Sequence, residues 1–290
     1  MTVLPEVAKE KCFALHGGTA INLFVREMPR LSVDIDLTYL LIEDRDASLT
    51  HIAEALKRIK QNIEKVVPGV RISPRLDAGK LQISANKVDI KIEVNLVNRG
   101  ALVEPKEMQL CEKAQQEFEA FCLIPVVSLG QLFGGKIVAA LDRQHPRDLF
   151  DVKYLLEKEG FTQEIKEGLL FSLLCSDRPI NEVITPNFQD QQSALTNQFS
   201  GMTDEKFSYD AYESVRKKLV ATIHENLTDK DKAFLLSVKN LTPDWSIYDF
   251  QHFPSIKWKL QNLQKLKDKN PLKHKELYET LKKKLGGNDK

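Results

Sequence analysis

Two short runs decide how this chain is read: His16-Gly17-Gly18-Thr19, and Arg30-Leu31-Ser32-Val33-Asp34-Ile35-Asp36-Leu37. Residues 12–15 are short and apolar, like a buried strand, and the two glycines that follow let the backbone turn and approach a ligand closely. The spacing predicts a helix from Thr19 to about Arg26, whose free N–H groups and positive dipole end face an anion, with the Thr19 hydroxyl as an added donor. Val33, Ile35 and Leu37 then alternate with Asp34 and Asp36, so a strand here buries one face and presents both carboxylates on the other. Two acids beside a glycine turn suit a divalent metal and phosphate. The same letters also describe a solvated strand edge and an ordinary turn, so the reading depends on what surrounds them.

Downstream, residues 51–67 carry Ile52, Leu56, Ile59, Ile63 and Val66 at helical spacing, after a polar loop at 43–47 and before a stop at Pro68-Gly69. Residues 70–76 and 81–85 read as strands joined by Asp77-Ala78-Gly79-Lys80. From Val88 the alternation is strict: Val88, Ile90, Ile92, Val94 and Leu96 lie on one face, with Asp89, Lys91, Glu93 and Asn95 on the other. A strand of this kind beside the Asp34/Asp36 strand would add Glu93 as a third carboxylate.

Residues 127–142 read as a helix interrupted at Gly134-Gly135, where a hinge and a close packing contact are both open readings. Lys136, Ala139 and Arg143 share one face. A second helix over 147–157 sets Asp148 and Asp151 near its positive end, as possible ion-pair partners for those cations. Gly130-x-x-x-x-Gly135-Lys136 imitates a phosphate-binding P-loop but fails it, because Ile137 stands where Ser or Thr would bind magnesium. His16 reads equally as a core residue or a substrate contact.

Composition narrows the class. The chain has 290 residues, 29% charged and 42% hydrophobic, with a net charge of +1, enough for a full core and two subdomains. No apolar run reaches bilayer length and the start lacks a signal peptide, so a cytoplasmic location with no membrane partner is expected. Cys12, Cys111, Cys122 and Cys175 are scattered, which fits neither a zinc site nor a disulfide framework. Residues 253–290 hold eleven lysines against four carboxylates, a net +7, leaving −6 on the remainder. Beyond Gly160 helical periodicity dominates, at 209–224, 230–238, 254–266 and 274–285. Residues 177–207 read as a polar loop, and the last dozen, with Lys282-Lys283-Lys284, as frayed. Domains are therefore expected at 1–160 and 161–290.

Taken in order, Gly17-Gly18-Thr19 with Arg30-x-Ser32-x-Asp34-x-Asp36, then Lys91-x-Glu93, then Lys136-x-x-Ala139-x-x-x-Arg143, then Arg147-Asp148-x-x-Asp151 resemble the AbiEii/AbiGii nucleotidyltransferase toxins of the DNA polymerase β-like superfamily. The motifs cover residues 13–155, and Phe253 to Leu260 is similar to that family's C-terminal helical region. One departure is Glu93, where polymerase β-like proteins commonly place Asp.

The resemblance implies an α+β fold, a mixed sheet with flanking helices followed by a helical C-terminal domain. It implies transfer of a nucleotide from a nucleoside triphosphate to an acceptor, with tRNA 3′ ends as the expected one, in toxin–antitoxin or abortive-infection biology with a cognate antitoxin. Asp34, Asp36 and Glu93 are then the expected ligands for Mg²⁺ or Mn²⁺, and Gly17, Gly18, Thr19, Lys136 and Arg143 the nucleotide contacts. Asp34, Asp36, Lys136 and Asp148 form the expected catalytic set, with Asp151 structural. Transfer to protein or a small molecule, and a non-catalytic nucleotide sensor on the same fold, are the alternatives. Three carboxylates that repel one another without a cation argue against the sensor.

Overall fold

The computed structural model describes residues 1–85 and 87–286. The chain forms two compact units, one of residues 1–128 with 201–205, the other of residues 129–200 with 206–290. Each is described by itself.

The first unit is a mixed seven-stranded sheet with helices. A short helix α1 (Leu4–Ala8) precedes strand β1 (Phe13–His16), which runs into helix α2 (Gly17–Ala20) and, without a break, a π turn over Ile21–Val25. Then come β2 (Ile35–Tyr39), α3 (Arg45–Val66), β3 (Arg71–Arg75), β4 (Lys80–Ala85), β5 (Val88–Val94), β6 (Lys106–Gln109), α4 (Glu112–Phe118) and β7 (Leu123–Val126). The strand order is β3-β4-β5-β2-β1-β7-β6. The β2–β5 and β1–β7 pairs are parallel and the rest antiparallel.

Alternation explains which sheet face is dry. Ile35, Leu37, Leu81, Ile83, Ile92 and Val94 are buried, and helix α3 packs over this side with Ile52, Leu56, Ile59 and Ile63, all fully buried at helical spacing. Burying each such side chain contributes about 1.5–3 kcal/mol. The helix is longer than expected, because Asp44 caps it by accepting a hydrogen bond from the Ala47 amide, so Arg45–Ala47 are helical rather than loop. At the other end of the expected pattern, β2 begins only at Ile35, and Val33 is exposed.

The second unit is helical: α5 (Leu129–Asp142), α6 (Pro146–Glu157), α7 (Gln163–Cys175), α8 (Ile180–Ile184), α9 (Gln192–Ala194), α10 (Tyr209–Asn226), α11 (Asp229–Lys239), α12 (Pro254–Lys269) and α13 (Pro271–Leu285). Helix α5 is continuous through Gly134-Gly135, so the P-loop look-alike lies inside a helix. Gly134 is a helix–helix contact: a Cβ there would stand 2.1 Å from the Gly168 carbonyl carbon, and one on Gly168 would stand 1.8 Å from the Gly130 oxygen. Glycines at 130, 134 and 168 let α5 and α7 meet backbone to backbone. This seam ties α5 to the helices that follow, so the boundary expected at residue 160 falls inside the second unit.

Two further expectations change. Residues 177–207 are not all loop, since α8 buries Ile180, Val183 and Ile184. Nor is the C-terminal basic run frayed over its length: α13 continues to Leu285, which is buried, and Lys284 donates to the Asn181 carbonyl at 3.0 Å. Residues 287–290, including Asp289 and Lys290 of the basic tail, lie outside the described residues.

Candidate active site

The acidic stretch lies at the centre of the sheet. Strand β1 pairs His16 with Asp36 on β2, β2 pairs Asp36 with Glu93 on the parallel strand β5, and β5 pairs Glu93 with Lys80 on β4. His16, Asp36, Glu93 and Lys80 thus form one polar row across four adjacent strands, on the face opposite the α3-covered core. Asp34 is two residues ahead of Asp36, just before the strand begins.

The glycine turn closes onto this row. Gly17 has φ +71°, the left-handed region that glycine enters without a Cβ penalty, and a Cβ there would stand 2.2 Å from Asp36 Oδ2. A Cβ on Gly18 would meet the guanidinium of buried Arg30 at 2.9 Å and Ser32 Oγ at 3.0 Å. Gly17 is therefore demanded by conformation and close approach, whereas a side chain at Gly18 would press on the ends of Arg30 and Ser32. The Thr19 hydroxyl is committed inward: Thr19 is buried, donates to the Asp34 carbonyl and lies 3.1 Å from Ser32 Oγ. It clips the lead-in of β2 onto the helix and so places Asp34, while the backbone amides of the first helical turn keep the anion-facing role open to them.

The expected third carboxylate lies where the alternation put it, but its side chain is engaged. Glu93 Oε1 is 2.8 Å from Lys80 Nζ, both about two-fifths exposed. Among the described residues no group of three His, Cys, Asp or Glu side chains converges as a metal cluster. The donor chemistry of Asp34 and Asp36 fits a hard, oxygen-preferring divalent cation. Glu93 Oε1 is held by Lys80, which competes with any cation for this carboxylate.

In the second unit the motif residues form a buried ion-pair group. Lys136 Nζ lies 2.8 Å from Asp148 Oδ1 and 3.0 Å from Asp151 Oδ2, and all three residues are buried. Arg143 engages Asp148 with two nitrogens, Nε at 2.5 Å and Nη2 at 3.0 Å, while most of its side chain stays exposed. Burial on its own would raise the Asp148 carboxyl, but the charges of Lys136 and Arg143 outweigh it and hold the group well below the usual carboxylate range. His145 caps α6 by accepting from the Arg147 amide at 3.1 Å. Next to Arg143, Gln144 takes a positive φ of 51° and is held by buried Arg216, whose Nη1 donates to Gln144 Oε1 at 2.6 Å and to the Gln189 carbonyl at 2.7 Å.

Sequence reasoning placed Asp34, Asp36 and Glu93 on one face and the Lys136, Arg143, Asp148 and Asp151 group together. It missed Lys80 and Arg216, and it quoted Arg30 in the motif without giving it a role. Lys80 was within reach, since the short turn at 76–79 puts it first on its strand and the hairpin register then sets it opposite Glu93. Arg216 sits far along the chain on an ordinary helical pattern and left no local signal.

The sequence profile of the AbiEii nucleotidyl transferase toxins of type IV toxin–antitoxin systems matches residues 1–262. Among solved structures, MenT4, a nucleotidyltransferase toxin from Mycobacterium tuberculosis H37Rv, is similar with a TM-score of 0.61 at 14% identity, over 90% of each chain. At that identity the likeness speaks for the fold. No curated protein sequence matches the chain.

Proposed function

Because the chain belongs to the AbiEii family of nucleotidyl transferase toxins of type IV toxin–antitoxin systems, we propose that it transfers a nucleoside monophosphate from a nucleoside triphosphate to the 3′ end of tRNA, dependent on a divalent metal. The observation that carries this reading is the contact of Gly17 with the Asp36 carboxylate, which brings that acid against the first turn of a helix. That turn supplies backbone donors for phosphate oxygens, and the acids supply oxygen ligands beside it.

Asp34 and Asp36 would hold Mg²⁺ or Mn²⁺, with Glu93 as the third ligand for which Lys80 competes. When bound, such an ion supplies Lewis-acid stabilisation of phosphoryl oxygens and of the pyrophosphate that leaves. The residues of the chain do the rest. Gly17, Gly18 and Thr19 present amides to the triphosphate, and the Thr19 hydroxyl keeps Asp34 in register. Lys136, enclosed by two carboxylates, acts by fixing Asp148. Asp148 in turn holds both nitrogens of the Arg143 fork, and that planar, oriented guanidinium suits a phosphate contact.

Among the described residues no helix is long and apolar enough to cross a membrane. The reading further proposes that the protein acts in the cytoplasm, in abortive-infection biology, and that a cognate antitoxin is its protein partner. Incubation with total RNA, Mg²⁺ and each labelled triphosphate in turn tests the acceptor. A labelled band at tRNA length supports it; label confined to protein or to a small molecule rejects tRNA and leaves the transferase core standing.

A further inference from the structure

The second unit contains a cavity of about 170 Å³ away from the acidic ion-pair group, among α7, α8, α11, α12 and α13. Its apolar wall includes Leu174, Val238, Leu263, Leu266 and the indole of Trp258, and two lysines, Lys239 and Lys259, open onto it. Lysines are rare in such a lining, because an ammonium loses several kcal/mol of hydration on burial unless it is paired.

The two lysines differ. Lys259 Nζ donates to the Ser176 carbonyl at 2.5 Å and to the Arg178 carbonyl at 3.1 Å, so it has a structural task at the end of α7. Lys239 is 6% exposed, and among the described residues no carboxylate or carbonyl lies within hydrogen-bonding reach of its ammonium. Its position at the C-terminal end of α11 suits a cation in general terms. That does not replace a partner. Burial lowers its pKa, and burial followed by repulsion from Lys239 brings Lys259 down to about 8. The anionic candidates nearby give Lys239 no partner. Asp177, also in the lining, acts on Lys259 through its charge, but among the described residues it forms no ion pair with either lysine, and the Cys175 thiol lies against Ser255 Oγ at 3.1 Å, pushed by burial up to about 12 and therefore neutral.

We propose that this cavity is a binding site for a small organic monocarboxylate, its anionic head on Lys239 with Lys259 adjacent, its apolar body against Leu174, Leu263 and Trp258. The chemistry selects the class. One unpartnered ammonium matches one carboxylate; Lys259 is held by two backbone carbonyls, and the other polar lining residues Ser176, Ser255 and Asn262 are neutral, so the site's charge matches a monoanion with an apolar body rather than a phosphate dianion. A cavity of this size accommodates a single ring or a medium alkyl chain.

The test is calorimetric titration of the full chain with octanoate, octanol and inorganic phosphate, together with tryptophan fluorescence. Octanoate is expected to bind at least tenfold more tightly than octanol or phosphate and to change the emission of Trp258, a change lost in Trp258→Phe. Lys239→Met is expected to weaken octanoate at least tenfold while the melting temperature stays level or rises, since a desolvated charge is removed. Leu266→Trp, which fills the cavity and leaves Lys239 in place, is expected to block binding whatever the fate of Lys239→Met. Absence of octanoate binding at millimolar concentration, equal binding of phosphate, or binding unchanged in Leu266→Trp would overturn the proposal.

Discussion

Gly17 and Asp36 touch: a methyl group on Gly17 would stand 2.2 Å from the Asp36 carboxylate oxygen. Replacing Gly17 by Ala should therefore displace the carboxylate as well as strain a backbone at φ +71°. Turnover is expected to fall at least 100-fold, about 2.7 kcal/mol in transition-state terms. Gly69→Ala supplies the control, since Gly69 has φ +72° with nothing within 4 Å. It should cost about 1–2 kcal/mol of stability and no activity. Equal loss of activity in the two variants would show that backbone strain, not the Asp36 contact, matters.

On the proposed reading, the Lys80–Glu93 pair competes with the metal for the third carboxylate. Lys80→Met should tighten Mg²⁺ binding several-fold, because Glu93 is then unpaired beside Asp36, and Glu93→Gln should weaken it. Metal titration followed by thermal shift reads both. Unchanged Mg²⁺ affinity in the pair of variants would remove Glu93 from the ligand set.

Asp148 ties acid stability to the Lys136 group. Its carboxyl is held below its ordinary value of 3.8, so the folded state binds the proton more weakly than the unfolded state. The contribution is complete above that ordinary value and is lost as pH falls through the lowered one. Melting temperature is expected to drop steeply below about pH 4 in the wild type. Asp148→Asn, which breaks a buried pair at a cost of about 3–5 kcal/mol, should show a flatter acid limb. An acid limb as steep in the variant as in the wild type would place the acid sensitivity elsewhere.

The glycine seam between α5 and α7 allows no side chain. A Cβ on Gly168 would stand 1.8 Å from the Gly130 oxygen, and backbone atoms on both sides prevent the rotamer escape open to a flexible neighbour. Gly168→Ala is expected to destabilise the protein by about 3 kcal/mol or more, seen in denaturant unfolding. A variant as stable as the wild type would mean the two helices separate at little cost.

Much of this was legible from periodicity. The Ile52, Leu56, Ile59 and Ile63 spacing marks the face of α3, and the strict alternation from Val88 marks which side of β5 carries Glu93, because both patterns are set by local geometry. The strands β6 and β7 left no comparable signal: each is four residues long, and β7 contains Pro125. At the site, strand alternation identified the carboxylates, whereas their partners depended on the fold. Lys80 takes Glu93 through a cross-strand register, and Thr19 turns its hydroxyl to Asp34 across fifteen residues of chain. Gly134 reads as a weak point of its helix, yet Gly168 packs against it, because propensity records what a residue costs locally and not which helix it admits.

The claim that Asp36 and the glycine turn serve nucleotidyl transfer is tested most directly by labelling one triphosphate in two positions. Protein, Mg²⁺ and total RNA are incubated with nucleotide labelled at the α-phosphate or at the γ-phosphate, using the wild type and Asp36→Asn. The expected result is α-label retained in the acceptor, γ-label released in pyrophosphate, and neither event with Asp36→Asn, whose circular dichroism stays that of the wild type. Transfer of the γ-label, no transfer with any triphosphate, or full transfer by Asp36→Asn would contradict it.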